Sequence, residues 1–348
     1  MTSPAVRHPP ASVTLAIAGD VMLGRLVNDA LREHGWAHPW GSITPILWSV
    51  DAFLINLECA ITSQLVRWHN GHYKPFHFRA DPGAVETLRQ GRVDFASLAN
   101  NHIGDFGPDG ILDTIAALDA AGIAHAGAGR DLGEARKPVV LDIHGFRVAI
   151  VAFADYPESW AATDAPGLNY TPVSVIDEDF APVADAIATA RSMADAVICS
   201  IHWGPNMRER PTEEFRHFAH RVMDAGATVF WGHSAHVVQG IEFRGEGVIL
   251  YDTGDFVDDY AVDSALRNDL GALFVLRLRP GGVTSVSLVP TRIEHMQVNP
   301  ALGKDREWFL NRVEMLSRDM GSAVVREPDH VVHVVHVPEL IANAMGNE

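Results

Sequence analysis

Five strand-like apolar runs in this chain each end abruptly in a side chain that could ligate a metal or move a proton. VTLAIAG runs into Asp20, AFLINLE ends in Asn56 and Glu58, and DFASLANNH ends in Asn100, Asn101 and His102. DAVICSIH ends in His202, and ATVFWGHSAH ends in His233 and His236. One such residue is cheaply explained as a turn or cap. Five are not, because a polar group at the end of a buried strand costs desolvation unless something pairs it. If a parallel sheet brings those ends to one edge, the side chains converge where open α/β sheets build their sites. Carboxylate, amide and imidazole suit a divalent cation. The lack of thiolates favours calcium or manganese, with zinc, iron or magnesium as further options. The expected ligands are Asp20, Glu58, Asn101, His202, His233 and His236.

The same stretches offer acid–base pairs. Asp105 follows His102 by three residues, and Asp252 and Asp255 follow a strand in YDTGDF. A carboxylate beside an imidazole orients it and raises its basicity. His102 and His236, supported by Asp105, Asp255 or Asp20, are therefore the expected acid and base. Asp105 has a plainer reading as the N-cap of the helix starting at Gly107-Pro108. Beside His202, Arg208 and Arg210 could clamp a carboxylate, Trp203 and Trp231 could wall a pocket, and Asn56 could meet substrate. His69, His72 and His77 fall in a loop expected near the site. His330, His333 and His336 recur every third residue, which suits neither a strand face nor a helical pair, so a segment packing its valines is expected there.

The elements that must hold these residues alternate. Strand-like runs are separated by helical stretches such as GRLVNDALREHG, GPDGILDTIAALDAAG and TEEFRHFAHRVMDAG, and a β-rich stretch follows. Hairpins are expected around His144-Gly145, within VVQGIEFRGEGVILYDTGDF, and around Pro280-Gly281-Gly282. This pattern predicts an α/β fold with mixed sheets. The expected organisation is a tail over 1–12, a single domain over 13–298, and a C-terminal extension over 299–348 that packs on it.

Of 348 residues, 47% are hydrophobic, enough for a substantial core. The net charge of −17 argues against a nucleic-acid or anionic-membrane surface. No stretch approaches the ~20 apolar residues of a membrane span, and the N-terminus lacks a signal-peptide pattern, so a soluble cytoplasmic protein is expected. Cys59 and Cys199 fit neither a zinc knuckle nor a redox pair and read as buried thiols. Oligomeric state is left open.

AGDVMLGR, NLECAIT, SLANNHIGDFG, HWGPN and GHSAHVVQGIE, in that order, resemble the bacterial CapA family, named for capsular poly-γ-glutamate synthesis. That family is itself similar to the calcineurin-like metallophosphoesterases. The resemblance spans about residues 13 to 290 and implies a calcineurin-like four-layer α/β/β/α sandwich with its site loops at one end. Asp20 matches the first Asp of the calcineurin-like pattern, Asn101 and His102 its Asn-His pair, His202 its lone His, and His233 and His236 its last motif, with one residue inserted. Met22 stands where the first His would be, and Glu58 lies near a second motif whose bridging Asp is missing. Both departures argue against a tight two-metal phosphoesterase site. In these residues the chain also resembles CapA-like peptide epimerases of lasso-peptide biosynthesis, which act on the C-terminal residue of a ribosomal precursor. The first functional expectation is thus metal-dependent epimerisation at a peptide Cα. The alternatives are hydrolysis or transfer at a glutamyl, other amide or phosphoester bond, and a non-catalytic scaffold of polymer synthesis.

Overall fold

Strand Val13–Val21 is buried almost throughout, so its neighbours must cover both its faces and both its edges. The computed structural model describes residues 10–69, 74–326 and 332–336. Up to Ile17 the strand pairs antiparallel with Leu270–Arg279 on one edge and parallel with Ala52–Leu57 on the other. The register then slips, and Asp20 lies beside Asn56 on one edge and beside Asp255 of the short parallel strand Asp255–Val257 on the other. Such an irregularity re-aims a side chain at a strand end, and here that side chain is Asp20.

Among the described residues, this strand sits inside a ten-stranded mixed sheet. Val13–Val21, Ala52–Leu57, Val93–Ser97 and Ala124–Ala126 run parallel, while Leu270–Arg279 and Gly282–Glu294 form a long antiparallel hairpin. A second sheet has the order Ile241–Arg244, Gly247–Leu250, Val229–His233, Ala196–His202, Phe146–Ala154, Val139–Ile143. The three expected hairpins all form. In the first, His144 and Gly145 both have positive φ (56° and 96°), which the tight two-residue turn requires.

Strand alternation splits the second sheet's side chains between two cores. Ile150, Ile198, Trp231 and Leu250 face the ten-stranded sheet and join Ile17, Leu54 and Phe95 in one cluster. Val151, Cys199, Ile201 and Phe230 face the other way, onto helices Asp177–Arg191 and Glu213–Asp224. Helices Arg25–His34, Val85–Gln90 and Gly107–Ala121 pack on the ten-stranded sheet. The result is the four-layer α/β/β/α sandwich that the resemblance implied. The polar strand ends thus come from two facing sheets, not from the edge of one, and this corrects the simpler expectation.

After residue 298 the chain contributes helix Gly303–Arg318 and strands Ser322–Arg326 and Val332–His336, which extend the ten-stranded sheet. Val332 and Val334 are buried, and His333 shares a hydrogen bond with Ser287 Oγ at 2.9 Å. His330 and His72 lie outside the described residues. Cys59 and Cys199 are buried free thiols, and burial pushes the Cys59 thiol up to about 12. No helix among the described residues is long and apolar enough to cross a membrane.

Gly19 is required by close approach. A Cβ at this position would lie 1.8 Å from the carbonyl oxygen of Gly254, in the loop that leads into Asp255. Gly19→Ala should therefore destabilise the protein by about 3 kcal/mol or more, read as a lower urea midpoint at unchanged slope.

Candidate metal centre

Asp20 is fully buried at the ends of both sheets. Its Oδ1 accepts from Asn56 Nδ2 at 2.7 Å, and Asn56 in turn accepts from Asn100 Nδ2 at 3.1 Å. Asn100 also donates to Leu57 O and accepts from the backbone N–H groups of His102 and Ile103. One amide thus ties the second strand's end to the turn that carries His102. Asn56 is fully enclosed by these contacts, so its role is to hold Asp20 rather than to meet substrate, which corrects the sequence expectation.

Two groups of ligand atoms converge on Asp20. One joins it to His202 and His233, the other to Glu58 and His236, and within each group the atoms lie within 4.8 Å of one another. His202 Nδ1 and His233 Nδ1 face each other at 3.1 Å. Ser200 Oγ donates to Ser97 Oγ, so it accepts from His233 Nε2 at 2.9 Å. That bond leaves the lone pair of His233 on Nδ1, and the His202 tautomer that also turns a lone pair inward completes a cation-ready pair. His236 Nδ1 lies 2.8 Å from Asp255 Oδ1 and 3.2 Å from Asp20 Oδ2. Its backbone is left-handed (φ 61°), and the loop is fixed by Asp252, which accepts from the N–H groups of Ala235 and Gly254, both at 2.8 Å. Asp252 is therefore a loop clamp.

The donor set fits a divalent cation on four further counts. Asp20 Oδ2, Glu58 Oε1, Asn101 Oδ1 and Asp255 Oδ2 are all buried without a hydrogen bond. Buried carboxylate oxygens without donors are costly unless a cation or proton meets them. Their proton affinities carry the same message. Burial alone would raise the Asp20 carboxyl, but the hydrogen bond and charge of the His236 imidazolium hold it at about 2. Burial and the Asp20 charge push Glu58 well above its ordinary range. Burial, with Asp258 and Asp20, does the same to Asp255 against the pull of His236. Burial would depress His236, yet Asp255, Glu58 and Asp20 raise it well above an ordinary histidine. Protons therefore sit where positive charge is needed. Burial keeps His202 and His233 neutral, as ligands must be.

On the flank, His102 Nδ1 bonds Asp105 Oδ2 at 2.7 Å, and its ring stacks on Phe78 at 3.8 Å between centroids. Burial depresses its pKa to about 4, with Asp105 opposing. Asp105 also accepts from the Phe78 N–H at 2.6 Å and pairs with Lys74. It does not cap the following helix, whose N-cap is Phe106. Tyr260 donates to Glu58 Oε2 at 3.0 Å, stacks on Phe78, and sets its ring edgewise to His236. Lys74, Phe78 and Tyr260 were missed in the sequence because they come from loops without periodicity. The Lys-Pro-Phe-His-Phe run after a histidine-rich loop was the available signal for two of them.

Two expected substrate contacts, Trp203 and Arg210, are committed elsewhere. Trp203 directly follows the strand that ends at His202; its ring turns to the outer core, meets Phe215 and Phe230, and donates to Tyr251 O at 2.9 Å. Arg210 is exposed and engaged by Asp319 at 2.9 Å. Arg208 is also exposed, and its carbonyl accepts from Gln239. Trp231 lies in the core between the sheets, edgewise to His233 at 5.5 Å. His77 is half-buried against His69.

The family described as bacterial capsule synthesis protein PGA_cap matches residues 14–260. A probable polyglutamine synthesis accessory protein of Mycobacterium tuberculosis is 34% identical over 95% of this chain and 98% of its own length. The capsule biosynthesis protein CapA of Bacillus anthracis is 27% identical over 87% of this chain and 74% of its own. Among solved structures, purple acid phosphatase PPD1 from yellow lupin seeds aligns over 83% of this chain and 53% of its own, at 9% identity and a TM-score of 0.36.

Glu58 and His236 both hold protons more tightly than usual and both must lose them to ligate. Divalent-cation affinity should therefore rise with pH, with protons released on binding. Calorimetric titration with Mn²⁺ in buffers of different ionisation enthalpy checks this. A pH-independent affinity without proton release would contradict it.

Proposed function

The chain belongs to the PGA_cap family of bacterial capsule synthesis proteins, and on that premise we propose that it is a metal-dependent enzyme that cleaves or transfers at a glutamyl amide or phosphoester bond in the making of a polyglutamate-type polymer. The observation that carries this reading is the pair of ligand groups sharing Asp20 beside a neutral, oriented His102. Asp20, His202 and His233 would hold one divalent cation, and Asp20, Glu58 and His236 a second. Cations held there would supply Lewis acidity and offset the negative charge that builds on the substrate.

The chain's own part is proton handling. Asp105 accepts the Nδ1 proton of His102, so Nε2 is left as the basic nitrogen. His102 can take a proton at Nε2 from an attacking water or hydroxyl. The resulting imidazolium, held by Asp105, returns that proton to the leaving amine or alkoxide. Phe78 stacks on the ring and keeps water from one face.

Epimerisation at a peptide Cα is a second reading, favoured by one observation. Two His–carboxylate pairs flank the centre, His102–Asp105 at 2.7 Å and His236–Asp255 at 2.8 Å, and without a cation they differ in proton state. The relatives' names point to polymer synthesis, so bond cleavage or transfer is preferred. The scaffold reading remains the alternative to both enzymes, and the mycobacterial relative is described as an accessory protein.

One experiment separates the three. Mn²⁺-loaded protein is incubated in D₂O with an oligo-γ-glutamate, a chromogenic phosphodiester, or a peptide encoded beside its gene, and products are weighed. Cleavage or transfer without backbone deuterium is expected, with His102→Ala lowering the rate about 10²- to 10⁴-fold. A one-dalton gain without cleavage would move the protein to epimerisation. No turnover, together with a His102→Ala variant that works normally in the cell, would leave a scaffold.

A further inference from the structure

The site is heavily acidic: Asp20, Glu58, Asp105, Asp255 and Asp258 are all buried around it, and the chain carries −17 overall. Held cations would offset the inner carboxylates, but a substrate with an anionic group away from the reacting bond would still meet a repulsive mouth. A cation at the mouth with donors to spare would counter that repulsion. Arg210 is engaged by Asp319, and Lys74 is held between Asp105 and the carbonyl of Asn101.

Arg25 meets the requirement. It opens helix Arg25–His34 directly after the Asp20 strand, with left-handed backbone (φ 51°), a conformation uncommon for a long side chain. Its guanidinium lies over Phe78 and Tyr260, 5.4 and 5.9 Å from their centroids, and 5.6 Å from that of Phe76. Phe78 stacks on His102, and the Tyr260 hydroxyl is bonded to Glu58. Arg25 is thus one ring removed from both flanks of the centre. Asp259, itself buried, grips it through Nε at 3.1 Å and Nη2 at 3.0 Å. Among the described residues Nη1 has no hydrogen bond, and the side chain remains about one-third exposed. A guanidinium held against aromatic rings and anchored by Asp259 is preorganised for a planar anion at little further entropic cost.

We infer that Arg25 is a specificity-determining residue that docks a carboxylate of the substrate, at a position removed from the bond that reacts. The inference rests on the function proposed above for its choice of centre, but it is tested by binding alone. It gives Arg25 the kind of role that the sequence had suggested for Arg210, which Asp319 engages instead.

The test uses the full chain loaded with Mn²⁺ and a fluorescently labelled tetra-γ-glutamate as probe. Mn²⁺ affinity and thermal midpoint are measured in parallel. Arg25→Gln should bind the probe about tenfold to a hundredfold more weakly, the loss of one charge-assisted contact, while Mn²⁺ affinity stays within twofold of the parent. Arg25→Lys should recover only part of the affinity, because it keeps the charge and loses the planar guanidinium. Methyl esterification of the probe should abolish the difference between parent and Arg25→Gln. Probe binding equal in the parent and Arg25→Gln would overturn the inference, and so would a parent that binds Mn²⁺ but no carboxylate probe. A parent that fails to bind Mn²⁺ would instead overturn the proposed metal enzyme, while a difference between parent and variant in probe binding would still uphold Arg25.

Discussion

A fully buried carboxylate, Asp20, is shared by two groups of side chains that could each hold a cation, and the rest of the site is arranged around it. Placing an ionised carboxyl where both sheets end costs several kcal/mol unless its oxygens are met. Asn56 meets one oxygen at 2.7 Å, and Asn100 fixes Asn56. The other oxygen is left to His236 at 3.2 Å without an aligned bond. Without a cation, the cluster manages its charge by holding His236 protonated and by pushing Glu58 and Asp255 toward their neutral forms. That is an expensive way to balance charge, and a divalent ion would replace those protons with stronger bonds.

The fold makes this arrangement rigid. Parallel strands deliver Asp20, Glu58 and His102 from one sheet, and His202 and His233 from the other, with His236 on the loop beyond. The sheets are joined beneath the site by Ser200 on Ser97 and by Phe95 against Trp231. The slip in register at Asp20 lets the strand change partners, and Gly19 lets the Gly254 carbonyl come close enough for it to happen. A site resting on two packed sheets has little freedom to drift, which suits chemistry that depends on preorganised charge.

The strand ends were legible because a switch from apolar to ligating residues is local in the sequence. Turn and cap signals were legible for the same reason: Thr212 caps helix Glu213–Asp224, and Gly122 closes helix Gly107–Ala121 in the left-handed conformation. What the sequence hid was long-range. Arg210 finds Asp319 more than a hundred residues away, and Tyr260 reaches back to Glu58. The direction of Trp203 was hidden as well, because the strand ends at His202 and the ring is placed by distant partners, Phe215, Phe230 and the carbonyl of Tyr251. Asn56 looked like a substrate contact because its type and place fit; only the geometry shows that it holds Asp20 and is itself held by Asn100.

In the proposed function Asp20 is one carboxylate serving two cations, an arrangement that the departures at Met22 and Glu58 argued against and for which the two groups around Asp20 nevertheless supply donors. Electron paramagnetic resonance of the Mn²⁺-saturated protein tests it most directly, because two manganese ions that share a carboxylate are magnetically coupled and two separate ions are not. A coupled spectrum that disappears in Asp20→Asn is expected. A spectrum of isolated ions at saturation, or a coupled signal that survives Asp20→Asn, would contradict it.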